Sequence, residues 1–282
     1  MSRQIDSLAQ LANKKRMKVV IASCSSPSGT LGLLAAIRIL GFSPYHMTEA
    51  CFSGPVHMKI LEEAVIAQHN RFSGIKRYER VDFDKWLSDY DCFIELPSYL
   101  GSQALEVYAE DPDVKFILTH RDPDKWVTSM DNTIANVVRM ATSFPMNILK
   151  HFDIILKGFF RLNQVMFWAM SDGTNPGDPN NEAALRRNYV EYIKFAKNTL
   201  PKERLLLVKL EEGLGWEQIC PFLDLPIPDE KYPRGNEPEK FQKLLESHLK
   251  PRVQLAVLRL GALAVTALGI IGYAGWRMSN SI

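Results

Sequence analysis

Residues 18–23 read KVVIAS, residues 24–30 read CSSPSGT, and residues 31–40 read LGLLAAIRIL. This predicts a short buried strand, a loop of small residues and an apolar helix. Nothing else in the chain restricts its fold so tightly. A strand, a tight loop and a helix N-terminus together wrap backbone N–H groups around an anion. A loop built for nucleoside triphosphates reads GxxxxGK followed by Ser or Thr. Here Gly29 precedes Thr30 directly, with no Lys between them. The loop therefore suits an anion but is not built to hydrolyse ATP or GTP.

Strand and helix patterns alternate through the following 170 or so residues. Residues 92–96 (CFIEL), 114–120 (VKFILTH) and 205–209 (LLLVK) are further apolar strands. Helical patterns cover 61–68, 83–88, 102–109, 123–140, with Asp122 as the N-cap, and 182–199. Continuous apolar strands separated by helices predict an α/β fold, a parallel sheet with helices on both faces. Ligands of such sheets bind beyond the carboxyl ends of the strands. Residues 145–170 are aromatic and apolar but too charged to span a membrane, and read equally as a lid, a substrate wall or a helix covering the sheet. Residues 171–181 (SDGTNPGDPNN) are a loop.

Composition narrows the function. Lys and Arg number 34 against 32 Asp and Glu, a net charge of +2, which argues against a nucleic-acid partner. The four cysteines are scattered without zinc-binding spacing and read as buried thiols. No metal site is expected. The start of the chain lacks the apolar core of a signal peptide. Near the other end, residues 260–276 (LGALAVTALGIIGYAGW) form a stretch of 17 without a charge. A helix there is about 26 Å long, near the lower limit for crossing a bilayer. Tyr273 and Trp276 suit an interface, and Arg259 near the other end is expected to snorkel. The expected organisation is an N-terminal extension (1–17), an α/β domain (18–250) and a single-pass membrane anchor (253–278). The domain would face the cytosol, at the endoplasmic reticulum.

Taken in order, several stretches resemble the fungal sulfotransferase-like family of P-loop fold proteins. They are SSPSGTLG at 25–32, LGFSPYHM at 40–47, IELP at 94–97, VKFILTHRDPDKWVTSM at 114–130, residues 201–228, and YPRGN at 232–236. The middle motif, a buried strand ending in Arg and then DPxKWxxS, is specific. The resemblance implies sulfuryl transfer from 3′-phosphoadenosine 5′-phosphosulfate to a hydroxyl, here of a lipophilic small molecule. It implies that Ser25, Ser26, Ser28, Gly29 and Thr30 cradle the 5′-phosphosulfate. Arg121 and Ser129 match the pair that grips the 3′-phosphate, and Arg234 matches a further phosphate-binding loop. No GxGxxG follows the first strand, so a dinucleotide is not expected.

Two departures from the family pattern matter. Pro27 stands where a basic residue is expected, and Gly32 replaces a hydroxyl residue. Glu95, in IELP, stands where Asp is common. A carboxylate at a strand end can take the acceptor's proton. His46, in PYHM, is the other candidate base, by virtue of its near-neutral ordinary pKa. His57 and His69 have weaker claims. Three activities stay open at this point: sulfuryl transfer, donor-independent acid–base chemistry in the same pocket, and a membrane-held scaffold without activity.

Overall fold

Three consecutive β-branched residues, favoured in strands, form β1 (Val19–Ile21). The structure, a computed structural model, describes residues 3–24, 30–233 and 237–280. Beyond β1 come α1 (Thr30–Ile39), β2 (Pro44–Tyr45), α2 (Met47–Phe52), α3 (Pro55–His69) and α4 (Arg80–Trp86). The middle of the chain holds β3 (Cys92–Ile94), α5 (Pro97–Leu100), α6 (Ser102–Ala109), β4 (Lys115–His120), α7 (Pro123–Met130) and α8 (Asn136–Thr142). Then follow α9 (Met146–Leu149), α10 (Ile154–Met170), α11 (Asn181–Thr199), β5 (Leu205–Lys209), α12 (Trp216–Leu223) and α13 (Glu237–Ser279).

The strands form one five-stranded sheet in the order β2-β3-β1-β4-β5. Every pairing is parallel, with Tyr45 opposite Phe93, Val20 opposite Phe93 and Phe116, and Ile117 opposite Leu206. Side chains alternate across each strand. Val20, Phe93, Phe116 and Leu118 enter a large core with residues of α3, α4, α6, α10 and α11. Val19, Ile21, Cys92, Ile94 and Ile117 face the opposite layer, where Leu33 and Ile37 of α1 meet Ile219 and Leu223 of α12. The central strands β1, β3 and β4 are thus covered on both faces, which is why they read as unbroken apolar runs, while the edge strand β5 is only partly covered.

The connectivity places a crevice. After β1 the chain moves to β2 and β3, and after β3 it crosses back over β1 to β4. Such a reversal opens a cleft at the carboxyl end of the central strand. That end is firmly held. The Tyr192 hydroxyl donates to the Ala22 carbonyl at 2.6 Å, and Ser23 Oγ accepts from the Thr119 hydroxyl at 2.6 Å.

Three elements differ from the sequence-based expectation. The helix expected over 123–140 is interrupted by a π-helical turn, Asp131–Ala135, where the Thr133 hydroxyl donates to the Ser129 carbonyl at 2.8 Å. Residues 145–170, left open as lid, wall or cover, are mostly α10. Its Leu156, Phe159, Phe160, Leu162 and Phe167 are buried in the large core, so the segment is a core helix packed chiefly on α3 and α8.

The third difference concerns the C-terminal helix. It is expected from residue 253 but begins at Glu237 and passes through Pro251. Its first half is docked on the domain: Leu249 and Ala256 are buried, and His248 stacks on Phe52 with ring centroids 3.9 Å apart. Arg259 does not snorkel. Its guanidinium donates to the Phe152 carbonyl at 2.9 Å and to the buried Asp153 carboxylate at 3.1 Å. A carboxylate taken from water needs a cation or donors, and Arg259 is the cation this one finds. Residues 261–280 are exposed without exception. The most apolar window of the helix has a mean hydropathy of 2.1 and is 6% buried. The exposed helix is about 28 Å long at 1.5 Å per residue, long and apolar enough to cross a bilayer core.

Candidate active site

Glu95 is the first residue beyond β3, and its backbone lies in the left-handed region, φ 56°. An L-residue with a long side chain pays roughly 1–2 kcal/mol for that conformation. Neighbouring hydrogen bonds hold it there. The Glu95 N–H donates to the Ile21 carbonyl at 3.0 Å, extending the β1–β3 pairing by one step. The Glu95 carbonyl accepts from the Ser98 N–H at 3.0 Å and the Ser98 hydroxyl at 2.7 Å. The side chain is buried, with the residue 5% exposed.

His46 is the first residue beyond β2 and the N-cap of α2. Its Nδ1 accepts from the Thr48 N–H at 3.2 Å, which satisfies one of the otherwise unpaired donors of the helix start. Its own N–H donates to Glu49 Oε2 at 3.0 Å, completing a reciprocal cap. Thr48 Oγ1 also donates to that Glu49 oxygen, at 2.7 Å. With Nδ1 acting as an acceptor, the neutral ring carries its proton on Nε2, as assigned from this hydrogen-bond network.

The other nitrogen reaches across the sheet edge. His46 Nε2 lies 3.1 Å from Glu95 Oε1, with both side chains nearly sealed from solvent. The approach is off the axis of a hydrogen bond, so among the described residues Nε2 touches a carboxylate without a well-aligned bond. The two candidate bases therefore form one buried pair rather than two alternatives. Cys51, behind them in α2, is buried, and its thiol is pushed up to about 12 by that burial and by the Glu95 charge. It is poorly suited to act as a nucleophile.

On the other side of β1, Arg121 follows β4 and is half-buried. Its backbone is clasped by Tyr189: the Arg121 N–H donates to the phenol oxygen at 2.9 Å, and the phenol donates to the Arg121 carbonyl at 3.1 Å. Tyr189 stacks on Trp126 of α7 at 4.5 Å. Burial raises the Tyr189 phenol to about 12, so it stays protonated and can keep donating. Asp122 caps α7 as expected, accepting from the Asp124 and Lys125 N–H groups at 3.0 and 3.1 Å. Ser129 lies in the last turn of α7 and is partly exposed. Thr30 is buried as the first residue of α1, whose first turn has no acidic residue. A helix start without carboxylates, with hydroxyls and an arginine among the flanking residues, has the chemistry to receive an anion.

Ser25, Ser26, Ser28 and Gly29, with Pro27 among them, and also Arg234, lie outside the described residues. The weaker histidine candidates are occupied elsewhere: His57 Nδ1 is 2.9 Å from the Tyr45 hydroxyl, and His69 Nε2 is 2.7 Å from the Tyr99 carbonyl. All four cysteines are buried thiols. Among the described residues no group of three or more His, Cys, Asp or Glu side chains is arranged to hold a metal. Sequence reasoning missed Thr48, Glu49 and Tyr189, which set the orientation of His46 and Arg121. The one available signal was the H-x-x-E spacing of a reciprocal helix cap.

The chain is similar to known proteins along most of its length. A curated relative, Ava biosynthesis cluster protein M of Aspergillus versicolor, is 31% identical over 220 residues, covering 77% of this chain and 80% of the relative. A crystal structure of a sulfotransferase from Alicyclobacillus acidocaldarius aligns with 88% of this chain and 96% of its own, at 16% identity and a TM-score of 0.43. Residues 18–241 match the family described as the sulfotransferase domain, a span that begins just before β1 and takes in the whole sheet. The chain belongs to the sulfotransferase domain family.

Proposed function

We propose that the protein transfers a sulfuryl group from 3′-phosphoadenosine 5′-phosphosulfate to a hydroxyl of a lipophilic small molecule, with Glu95 taking the proton of that hydroxyl. The observation that carries this reading is the buried contact between His46 and Glu95, 3.1 Å at the carboxyl edge of the sheet. Glu95 continues the pairing of β3 with β1, the strand that leads into the segment expected to hold an anion.

The roles follow from the contacts. Thr48 holds Nδ1 of His46 as an acceptor, so the Nε2–H faces the carboxylate and His46 positions Glu95. Glu95 is then the partner able to accept a proton. The strained backbone of Glu95 fixes the carboxylate at the cleft instead of letting it swing to solvent. As the acceptor oxygen bonds to sulfur, its O–H bond breaks and the proton passes to the Glu95 carboxylate. Ser25, Ser26, Ser28, Gly29 and Thr30 would hold the phosphosulfate end of the donor, and Arg121, Ser129 and Arg234 its 3′-phosphate. When bound, the donor supplies the sulfuryl group and departs as adenosine 3′,5′-bisphosphate.

The name of the Aspergillus relative refers to a biosynthesis cluster, which supports small-molecule biosynthesis as the setting. The exposed C-terminal helix supports delivery of a lipophilic acceptor from a membrane. Lys250, Arg252 and Arg259 precede the apolar run, against Arg277 after it. That bias supports a domain on the cytosolic side.

One observation favours a second reading, acid–base chemistry without a donor. Gly32 is buried in the first turn of α1 in place of a hydroxyl, and Pro27 removes a cation from the loop. Calorimetry of the full chain in neutral detergent with adenosine 3′,5′-bisphosphate separates the two. Saturable binding is expected for sulfuryl transfer. A folded protein that does not bind it performs donor-independent chemistry or none.

A further inference from the structure

Away from the sheet edge, α3, α8 and α10 enclose an open groove of about 500 Å³. Its floor is tight: a Cβ added at Gly158 of α10 would lie 3.3 Å from the methyl group of Met58 in α3. The groove shares no residue with the His46–Glu95 pair. Its rim is cationic, with Lys59, Lys150, Lys157 and Arg161 against the single carboxylate of Glu62. Arg161 is paired with Glu62 at 2.9 Å, and Lys150 donates to the Ala141 carbonyl at 2.7 Å. Lys59 and Lys157 are exposed and enter no ion pair among the described residues.

The position of the groove says what would fill it. Arg259, near the end of the docked part of α13, is bonded to the Phe152 carbonyl, two residues beyond Lys150 on the rim. From the next turn onward that helix is bare and apolar. Two large apolar side chains are exposed, one in the groove and one two residues after its Thr142 in sequence. Ile154, which lines the groove, is 64% exposed, and Phe144 is 80% exposed. Apolar side chains beside a cationic rim, where a membrane helix leaves its domain, match the boundary between acyl chains and anionic headgroups.

We propose that this groove holds the headgroup of an anionic phospholipid, from the leaflet that α13 enters, and seats the domain against the bilayer. The inference rests on α13 being a membrane anchor. Full chain in nanodiscs of mixed phosphatidylserine and phosphatidylcholine, released into neutral detergent, is examined by native mass spectrometry for retained lipid. Phosphatidylserine should be retained up to about 25-fold over phosphatidylcholine. Lys59→Glu with Lys157→Glu should bring the ratio near one, since each lysine near an anionic surface contributes about fivefold. The milder Lys59→Gln with Lys157→Gln should lower it in the same direction, and excess inorganic phosphate should displace nothing. Equal retention by the wild type, an unchanged ratio in both double variants, or displacement by phosphate would each overturn the proposal. Alkaline carbonate extraction tests the anchor separately: a chain that leaves the membrane removes the basis of the inference. A chain that stays, without a lipid preference, refutes the groove alone.

Discussion

At the scale of single residues, Glu95 combines two costly features, a left-handed backbone and a buried carboxylate. A structural acceptor would need neither, and such strain is a pointer to function. Glu95→Gln keeps the shape and removes the base, so turnover should fall roughly 10²–10⁴-fold while the melting temperature stays close to wild type. His46→Asn makes a sharper companion. Asn caps helices as well as any residue, so α2 should keep its stability. The Nε2 contact is lost, so kcat should drop while KM for the donor holds. A loss of stability in His46→Asn with normal kcat would reduce His46 to a cap. The two residue types were legible in the sequence one at a time, as rival bases. Their contact was not, because it depends on Tyr45 pairing with Phe93, which brings His46, one residue on, and Glu95, two residues on, to one edge.

At the scale of elements, what the sequence revealed follows largely from burial. β1, β3 and β4 read as apolar runs because they are buried, and β5 reads the same way although Leu207 is 44% exposed. β2 is two residues, and one of them is Pro44, which lacks an N–H for a ladder and is tolerated because β2 is an edge strand. The start of α13 was hidden by charged residues before Pro251, a residue that usually ends a helix. Here packing of Leu249 and Ala256 on the domain carries the helix through it. The junction of β4 and α7 was the most legible site element, because a strand, an Arg and a capping Asp follow in order. Tyr189 fixes the Arg121 backbone, so Arg121→Ala should leave the junction intact and remove only the guanidinium. Affinity for adenosine 3′,5′-bisphosphate should fall by about 1.5–3 kcal/mol, roughly 10- to 150-fold. An unchanged affinity in calorimetry would show that Arg121 does not grip the nucleotide.

The whole molecule should weaken in mild acid. Burial holds His57 below the ordinary imidazole value of 6.5, and it also lowers His120, with Lys197 adding to the effect there. Unfolding exposes both rings to water, where they bind protons more readily. Their neutral forms therefore favour the folded state fully above about 6.5, and that advantage is lost as pH falls through their lower folded values. Melting temperatures should decline from about pH 7.5 to about pH 5.5, and less steeply in His57→Asn. A flat profile would contradict this. The molecule also has a natural seam, which the packing of α13 puts at residue 261 rather than 253. A chain ending at Leu260 keeps Leu249 and Ala256 packed and Arg259 on Asp153. It should leave the membrane fraction and melt like the full domain. A chain ending at Arg252 loses Ala256 and Arg259, and leaves Asp153 with its α10 cap bonds to the Ile155 and Leu156 N–H groups and, as its remaining cation, Arg252 at 4.0 Å. That should cost about 1–3 kcal/mol, several degrees of melting temperature. Equal stability of the two pieces would mean that the docked stem is incidental, and a membrane-bound 1–260 piece would place the anchor elsewhere in the domain.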